Sequence, residues 1–226
     1  MKSSLPKVLH PICGIPMVLH VAHALRGAGI QDVVVVVGNG AEAVKRALSG
    51  AGVRFALQKK RRGTADALAV ARGALGRFSG DLVVACGDAP LVKASTLRSL
   101  RSAHRASGNL ATVCTFELED PAGYGRVINS NSGWVKRIVE EREASEVERR
   151  VREVNSGLYV FRSPAVFSDL AKVRPSAVKK ELYLTDVIGL MASRGDRVGT
   201  FRSPDPDEFL GVNTMRELAE ADRVLR

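Results

Sequence analysis

Five consecutive valines occupy positions 33–37. A run of β-branched residues with no polar alternation has no solvent face. It therefore predicts a strand covered on both sides, the habit of parallel sheets. The neighbouring segments extend the pattern. Residues 16–28 read as a helix with Val18, Leu19, Ala22 and Leu25 on one face, and Gly27 and Gly29 stop it. Gly38-Asn39-Gly40 turns the chain into a helix over 41–48. A short strand follows over 53–57, then a helix over 65–75 that Thr64 could cap, then a second apolar run over 82–86. Alternating strands and helices imply right-handed crossovers and an α/β domain with an open parallel sheet. Ligands of such sheets sit beyond the carboxyl ends of the strands. Asp88, two residues past the third strand read here, is placed to hold a metal and a nucleotide; a strand-end cap is the alternative.

The second half changes character. A helix over 95–106 and a strand over 110–118 are followed by Gly123-Tyr124-Gly125-Arg126, where the backbone can approach a ligand with an arginine beside it, or simply turn into a strand over 126–128. Residues 133–139 are hairpin-like, and the charged stretch 146–152 reads as a solvated face. A strand over 154–161, helices over 164–171 and 186–193, a strand over 197–201 and a helix over 214–225 complete the chain. The expectation is one domain over 1–226: a nucleotide-binding half over about 1–110, a smaller mixed β lobe over about 111–212, and a terminal helix over 213–226. A cleft between the halves is the default binding site.

Composition narrows the partners. The 34 basic and 24 acidic residues give a net charge of +10, which favours polyanions. Lys59-Lys60-Arg61-Arg62 could steer a nucleotide or form an ordinary solvated loop. Aromatic residues are only 5%, which argues against stacking-based binding of single-stranded nucleic acid. The four histidines have no metal-ligand spacing. Three widely spaced cysteines, Cys13, Cys86 and Cys114, suit a reducing cytoplasm, with Cys86 and Cys114 read as small core residues. No signal peptide follows Met1-Lys2, and no apolar run is long enough to span a bilayer.

The segment Leu5-Pro6-Lys7-Val8-Leu9-His10 presents one lysine from a stiff, proline-fixed backbone. It is followed by Gly14-Ile15-Pro16-Met17, Leu57-Gln58 with Gly63-Thr64, Gly87-Asp88-Ala89-Pro90-Leu91, and Gly123-Tyr124-Gly125-Arg126. Ile138-Val139-Glu140, Asn155-Ser156-Gly157, Tyr183-Leu184-Thr185-Asp186 and Gly211-Val212-Asn213 complete the series. In this order, over nearly the whole chain, these segments resemble the uridylyltransferase domain of bacterial N-acetylglucosamine-1-phosphate uridylyltransferases. The resemblance implies a Rossmann-like nucleotide-diphospho-sugar transferase fold, a mostly parallel sheet flanked by helices with a smaller mixed β lobe. It implies transfer of UMP from UTP to N-acetylglucosamine 1-phosphate, a precursor step for peptidoglycan and lipopolysaccharide, without nucleic acid or membrane.

It also implies roles. Lys7 is expected to bind the substrate phosphates; Gln58, Gly63 and Thr64 the uracil; Cys86, Gly87 and Asp88 the rest of the nucleotide site. Asp88 and Asn213 are expected to hold one Mg2+, with Lys7 and Asp88 the catalytic pair. Gly125, Glu140 and Asn155 are expected to contact the N-acetylglucosamine, flanked by Tyr183 and Thr185. No general base is required, because the attacking sugar phosphate is already an anion.

The resemblance implies two further parts: a strand and glycine-rich loop ahead of Leu5, with Met1 at the loop's last position, and an acetyltransferase domain beyond Arg226. A chain truly lacking the loop is expected to be inactive, and the edges of strands 33–37 and 82–85 would be exposed. Three alternatives stay open at this stage: a non-catalytic UDP-sugar-binding fragment, a related enzyme of other base or sugar specificity, and a basic nucleic-acid module. The oligomeric state cannot be read.

Overall fold

A computed structural model describes residue 3 and residues 5–226; the placement of Met1 at the end of a loop lies outside the described residues. In chain order the elements are β1 (Pro11–Ile12), β2 (Ile15–Pro16), α1 (Met17–Gly27), β3 (Val34–Val37), α2 (Ala41–Ala47), β4 (Arg54–Leu57) and α3 (Thr64–Leu75). They continue with β5 (Gly80–Val84), α4 (Ala94–Ser107), β6 (Ala111–Glu117), β7 (Arg126–Asn129), β8 (Val135–Val139) and α5 (Glu146–Arg149). The last are β9 (Glu153–Ser163), α6 (Ala165–Leu170), α7 (Leu184–Ser193), β10 (Val198–Arg202) and α8 (Met215–Leu225).

The long strand β9 is the hub. It pairs antiparallel with β5, β6 and β7; β7 pairs antiparallel with β8, and β10 pairs parallel with β6. Both faces of this sheet are covered. On β6, Ala111 and Val113 face a core completed by α3, α6 and α7. Cys114 and Phe116 face a second core with residues of α1 and α4. Tyr159 and Phe161 of β9 join the first core, Leu158 and Val160 the second. Burying each such aliphatic or phenyl group stabilises the fold by roughly 1.5–3 kcal/mol.

β3 and β4 form a parallel pair of their own, held by Leu9, Val18, Val44 and Leu48. The expected single parallel sheet through positions 33–37 and 82–86 is therefore divided. Among the described residues β3 pairs only with β4, and β5 only with β9. Val34, Val35, Val36 and all of β5 are half-buried rather than sealed on both faces, because each strand lacks a ladder partner along one edge. β5 stops at Val84, which leaves Asp88 four residues beyond it rather than two. The apolar run counts Cys86 into the strand, yet Cys86 is exposed; only Cys114 is a core residue.

Lys7–Leu9 is a single 3-10 turn. Its approach to the sheet requires Gly40: a Cβ there would lie 2.4 Å from Pro6 Cγ, and Gly40 has φ +70°. The last helix closes the circuit. Ile12, Met17, Leu91, Val212, Leu218 and Ala221 form one apolar cluster, and the Cys13 N–H donates to Asp222 Oδ1 at 2.7 Å. Thr214 and Glu217 cap α8 reciprocally, a signature visible as Thr-x-x-Glu. Among the described residues no helix is long and apolar enough to cross a membrane.

Candidate active site

Residues 206 positions apart in the sequence meet at the first candidate group. Lys7 Nζ donates to Asn213 Oδ1 at 2.6 Å and lies 2.6 Å from Asp88 Oδ2. The 3-10 turn presents Lys7. The loop after β5 presents Asp88, whose carbonyl accepts the Val212 N–H at 3.3 Å. Asn213 is set by Glu217, whose Oε2 accepts the Asn213 backbone N–H at 2.6 Å. Gly87 packs between Val8 and Val18, which seats the Asp88 loop on the lysine turn. All three side chains remain accessible to solvent, Lys7 and Asp88 by about a third each (34% and 35%). One carboxylate oxygen and one amide oxygen thus converge on a single cationic centre.

The second group lies at the ends of β4 and α3. Gln58 Nε2 donates to the Gly63 carbonyl at 3.1 Å and to Asp66 Oδ2 at 2.8 Å. An open cavity of about 540 Å³ is lined by Gly38, Asn39, Leu57, Gln58, Lys59 and Arg61. Thr64 does not cap α3 through its side chain. Its hydroxyl instead accepts the Leu184 N–H at 2.9 Å. Beside it the Leu182 N–H donates to the Arg62 carbonyl at 2.6 Å, and the Leu182 carbonyl accepts from the Ala65 N–H at 2.9 Å. The segment before α7 is thereby strapped across the start of α3.

That strap reaches the third group. Thr185 Oγ1 donates to Glu140 Oε1 at 3.0 Å. Gly125 lies between the β8 end and β9: a Cβ there would be 3.6 Å from the Val139 carbonyl and 3.7 Å from Asn155 Cβ. The Gly125 carbonyl accepts the Asn155 N–H at 2.9 Å. Asn155 Oδ1 accepts the Gly157 N–H at 3.1 Å, and its Nδ2 donates to the Tyr159 hydroxyl at 2.7 Å. Gly157 has φ +77°, and a Cβ there would fall 2.9 Å from Cys86 Sγ, so the Asn155 turn abuts the loop carrying Cys86, Gly87 and Asp88. Tyr183 is buried, and its phenol meets Ser176.

One open sequence reading is resolved and one expectation changes. Of the two readings of Gly123-Tyr124-Gly125-Arg126, the turn into a strand is the one seen, and the Arg126 side chain points into the protein. It is 2% exposed, pairs with Glu141 at 2.8 Å, and donates to the carbonyls of Tyr124 and Arg149. It braces the Gly-Tyr-Gly turn from below. Cys86 is reached by solvent, while its Sγ lies against the Gly157 carbonyl. Burial and the neighbouring Asp88 push its thiol up to about 12, so it is not a nucleophile at neutral pH. The sequence reading missed the Thr64–Leu184 bond and the Tyr159 phenol under Asn155. Neither has a local signal, since each joins segments only through the tertiary fold.

Glu140 titrates above the ordinary carboxylate range, chiefly because of burial. Glu143 and Glu181 push the same way, against Thr185 and Lys179. The folded state then holds this proton more tightly than the unfolded chain. Between the ordinary value of 4.5 and the raised one, stability falls as pH rises, and the full cost persists above. Glu140→Gln, which keeps an acceptor for Thr185, is expected to unfold at higher temperature than the parent at about pH 8. The gap should close as pH drops toward 4.5. Thermal unfolding across that range measures it; a variant less stable at the alkaline end contradicts the assignment of Glu140 as a half-buried, ionised group.

The fold is an α/β domain with a mixed sheet, and Lys7, Asp88 and Asn213 meet at one surface-accessible point of it. Residues 2–206 match the family described as nucleotidyl transferase, and the chain belongs to that family. Over all 226 residues it is 45% identical to the bifunctional protein GlmU of Pelotomaculum thermopropionicum, 44% to that of Geobacillus thermodenitrificans and 42% to that of Bacillus thuringiensis. In each case it covers 49% of the relative, so the chain spans about half the length of the curated relatives it matches. Two crystal structures of UDP-glucose pyrophosphorylase share the fold at 18% identity, covering 98% of this chain and 90% of theirs. The TM-score is 0.72 for the UDP-glucose complex and 0.75 for the apo form.

Proposed function

We propose that this domain transfers UMP from UTP to N-acetylglucosamine 1-phosphate, giving UDP-N-acetylglucosamine and pyrophosphate. The observation that supports it most is the convergence of Asp88 and Asn213 oxygens on the Lys7 ammonium, at the junction of the nucleotide-side and sugar-side groups. A phosphate oxygen of the sugar phosphate attacks the α-phosphorus of UTP. The new P–O bond forms as the α–β phosphoanhydride bond breaks, and its electron pair leaves with pyrophosphate. The attacking oxygen carries no proton to remove, so this chain's task is alignment and charge compensation.

Lys7 places a fixed positive charge among the phosphates. Gln58, Gly63 and Thr64 position the uracil, with Cys86 and Gly87 on the floor beside it. Gly125, Glu140, Asn155 and Thr185 form the sugar end, with Tyr183 behind them. A Mg2+ bound here would be held by few protein oxygens and completed by phosphates and water. Asp88 and Asn213 are the donors in reach, and hard oxygen ligands drawn to one cation suit that ion. When bound, the ion supplies Lewis-acid stabilisation of charge at the reacting phosphate.

We further read 1–110 as the nucleotide half, 111–212 as the sugar half and the terminal helix as the carrier of Asn213. The free cysteines favour a cytoplasmic setting. Pyrophosphate release, measured against a panel of nucleoside triphosphates and sugar 1-phosphates, tests the proposal. UTP with N-acetylglucosamine 1-phosphate should be turned over fastest. Preference for another pair would reassign the specificity, and tight UDP-sugar binding without turnover would leave a binding domain.

A further inference from the structure

We propose that Tyr159 is a positioning residue for the sugar end of the cleft, setting sugar discrimination through the amide of Asn155. The inference rests on the reading of that end as the sugar subsite. Its starting point is a balance of donors and acceptors. The Gly157 N–H can only donate, and it lies 3.1 Å from one end of the Asn155 amide. That end must be the oxygen, so the NH2 group faces the Tyr159 hydroxyl at 2.7 Å. The phenol oxygen is therefore committed as an acceptor, and its own proton must go elsewhere.

Tyr159 is 4% exposed, and no acceptor for that proton is found among the described residues. Buried donors are rarely left unsatisfied in native proteins. The phenol is close enough to feel both Cys86 and Glu140 electrostatically, and burial raises its pKa, so it is a neutral donor at physiological pH. It sits under the seam where the loop of Asp88 meets the Asn155 turn.

The ring itself cannot drift. It stacks on Phe161 with centroids 5.6 Å apart and lies in the main core. The Gly157 N–H thus sets the flip of the Asn155 amide, and the rigid phenol pins its NH2 end in place. The outward-facing amide hydrogen and the free lone pair of Oδ1 are then fixed in direction before a sugar arrives. The phenol is buried and does not reach the cleft surface, so it acts on a bound sugar through Asn155 alone. Such preorganisation acts on discrimination rather than on the phosphoryl step.

Tyr159→Phe removes one oxygen and keeps the ring. The KM for the preferred sugar 1-phosphate should rise about tenfold, with kcat within about threefold and the KM for the nucleotide unchanged. The spread between preferred and disfavoured sugar phosphates should narrow. In an Asn155→Ala background the same change should have almost no further effect. An unchanged sugar-phosphate KM, an equal rise in both KM values, or full additivity with Asn155→Ala would overturn the proposal.

The sugar phosphate used is whichever one the unaltered protein turns over fastest, so a wrong sugar assignment does not touch this test. Should the unaltered chain release no pyrophosphate, calorimetry with UDP-N-acetylglucosamine and UDP carries the comparison. The variant should lose about tenfold on the first and nothing on the second. Equal binding of UDP-N-acetylglucosamine by both proteins overturns the Tyr159 assignment alone. No binding by the unaltered protein overturns the reading of the site and this assignment with it.

Discussion

Asp88→Ala should lower pyrophosphate release by about 10³-fold while leaving the fold intact. The size follows from what the carboxylate is asked to do. It is the one formal negative charge in the Lys7–Asp88–Asn213 group, and Asn213 supplies only a neutral oxygen. Losing a group that orients charge stabilisation at the reacting centre costs about 10²–10³-fold in turnover, and a lost metal ligand belongs at the upper end. Stability should hardly move. The Lys7–Asp88 pair is a third exposed, and such pairs contribute only about 0–1 kcal/mol. For a chain of this length that is a shift of at most roughly 2–4 °C in Tm. Asp88→Asn separates charge from geometry: it retains an oxygen but not the charge, and should recover little of the lost activity. Full activity in either variant would remove Asp88 from the chemistry. A collapse of Tm would recast it as a structural strut.

Gly63→Ala should produce the largest combined effect on fold and site. Gly63 has φ +114°, a region L-residues avoid, and an added Cβ would sit 2.4 Å from the Leu182 carbonyl oxygen and 2.7 Å from the Leu182 nitrogen. Those are backbone atoms, so the clash cannot be relieved by a rotamer change. The alanine would have to push the strap off α3. That would break the Leu182 bonds to Arg62 and Ala65 and the Leu184 bond to Thr64. Backbone strain of this kind, with the lost hydrogen bonds, should cost roughly 3 kcal/mol, or about 6–12 °C in Tm. Because the same strap carries Thr185 to Glu140, KM should rise for both substrates, although the substitution lies beside Gln58. An effect confined to the nucleotide KM would show that the two ends of the cleft are not joined through residues 182–185.

The parts that were legible in the sequence share a cause. Val35, Leu82 and Gly27 act through neighbours a few positions away, so apolar patterning and helix-stop rules reach them. The candidate residues were legible in a different way. Gly63 and Gly157 are demanded by left-handed backbone and close approach, and their places in the series of short segments stand out before any contact is known. The rest depends on who meets whom across the fold. Nothing about Thr64 reveals that its hydroxyl meets Leu184, 120 positions away. The sequence left Arg126 open as a ligand contact or the start of a strand; only the fold shows its guanidinium turning inward to Glu141 and two carbonyls. Cys86 looked like core because the apolar run continues to it, whereas the ladder with β9 ends at Val84–Tyr159.

The account depends on Lys7, Asp88 and Asn213 forming one cation-and-phosphate centre. A crystal structure of this chain with UTP and Mn2+ tests it directly, through the anomalous signal of the metal. The account predicts a single metal peak bonded to Asp88 Oδ2 and Asn213 Oδ1, with the Lys7 ammonium moved onto a phosphate oxygen. A nucleotide bound with its metal elsewhere, and the Lys7–Asp88 pair still closed at 2.6 Å, would contradict it.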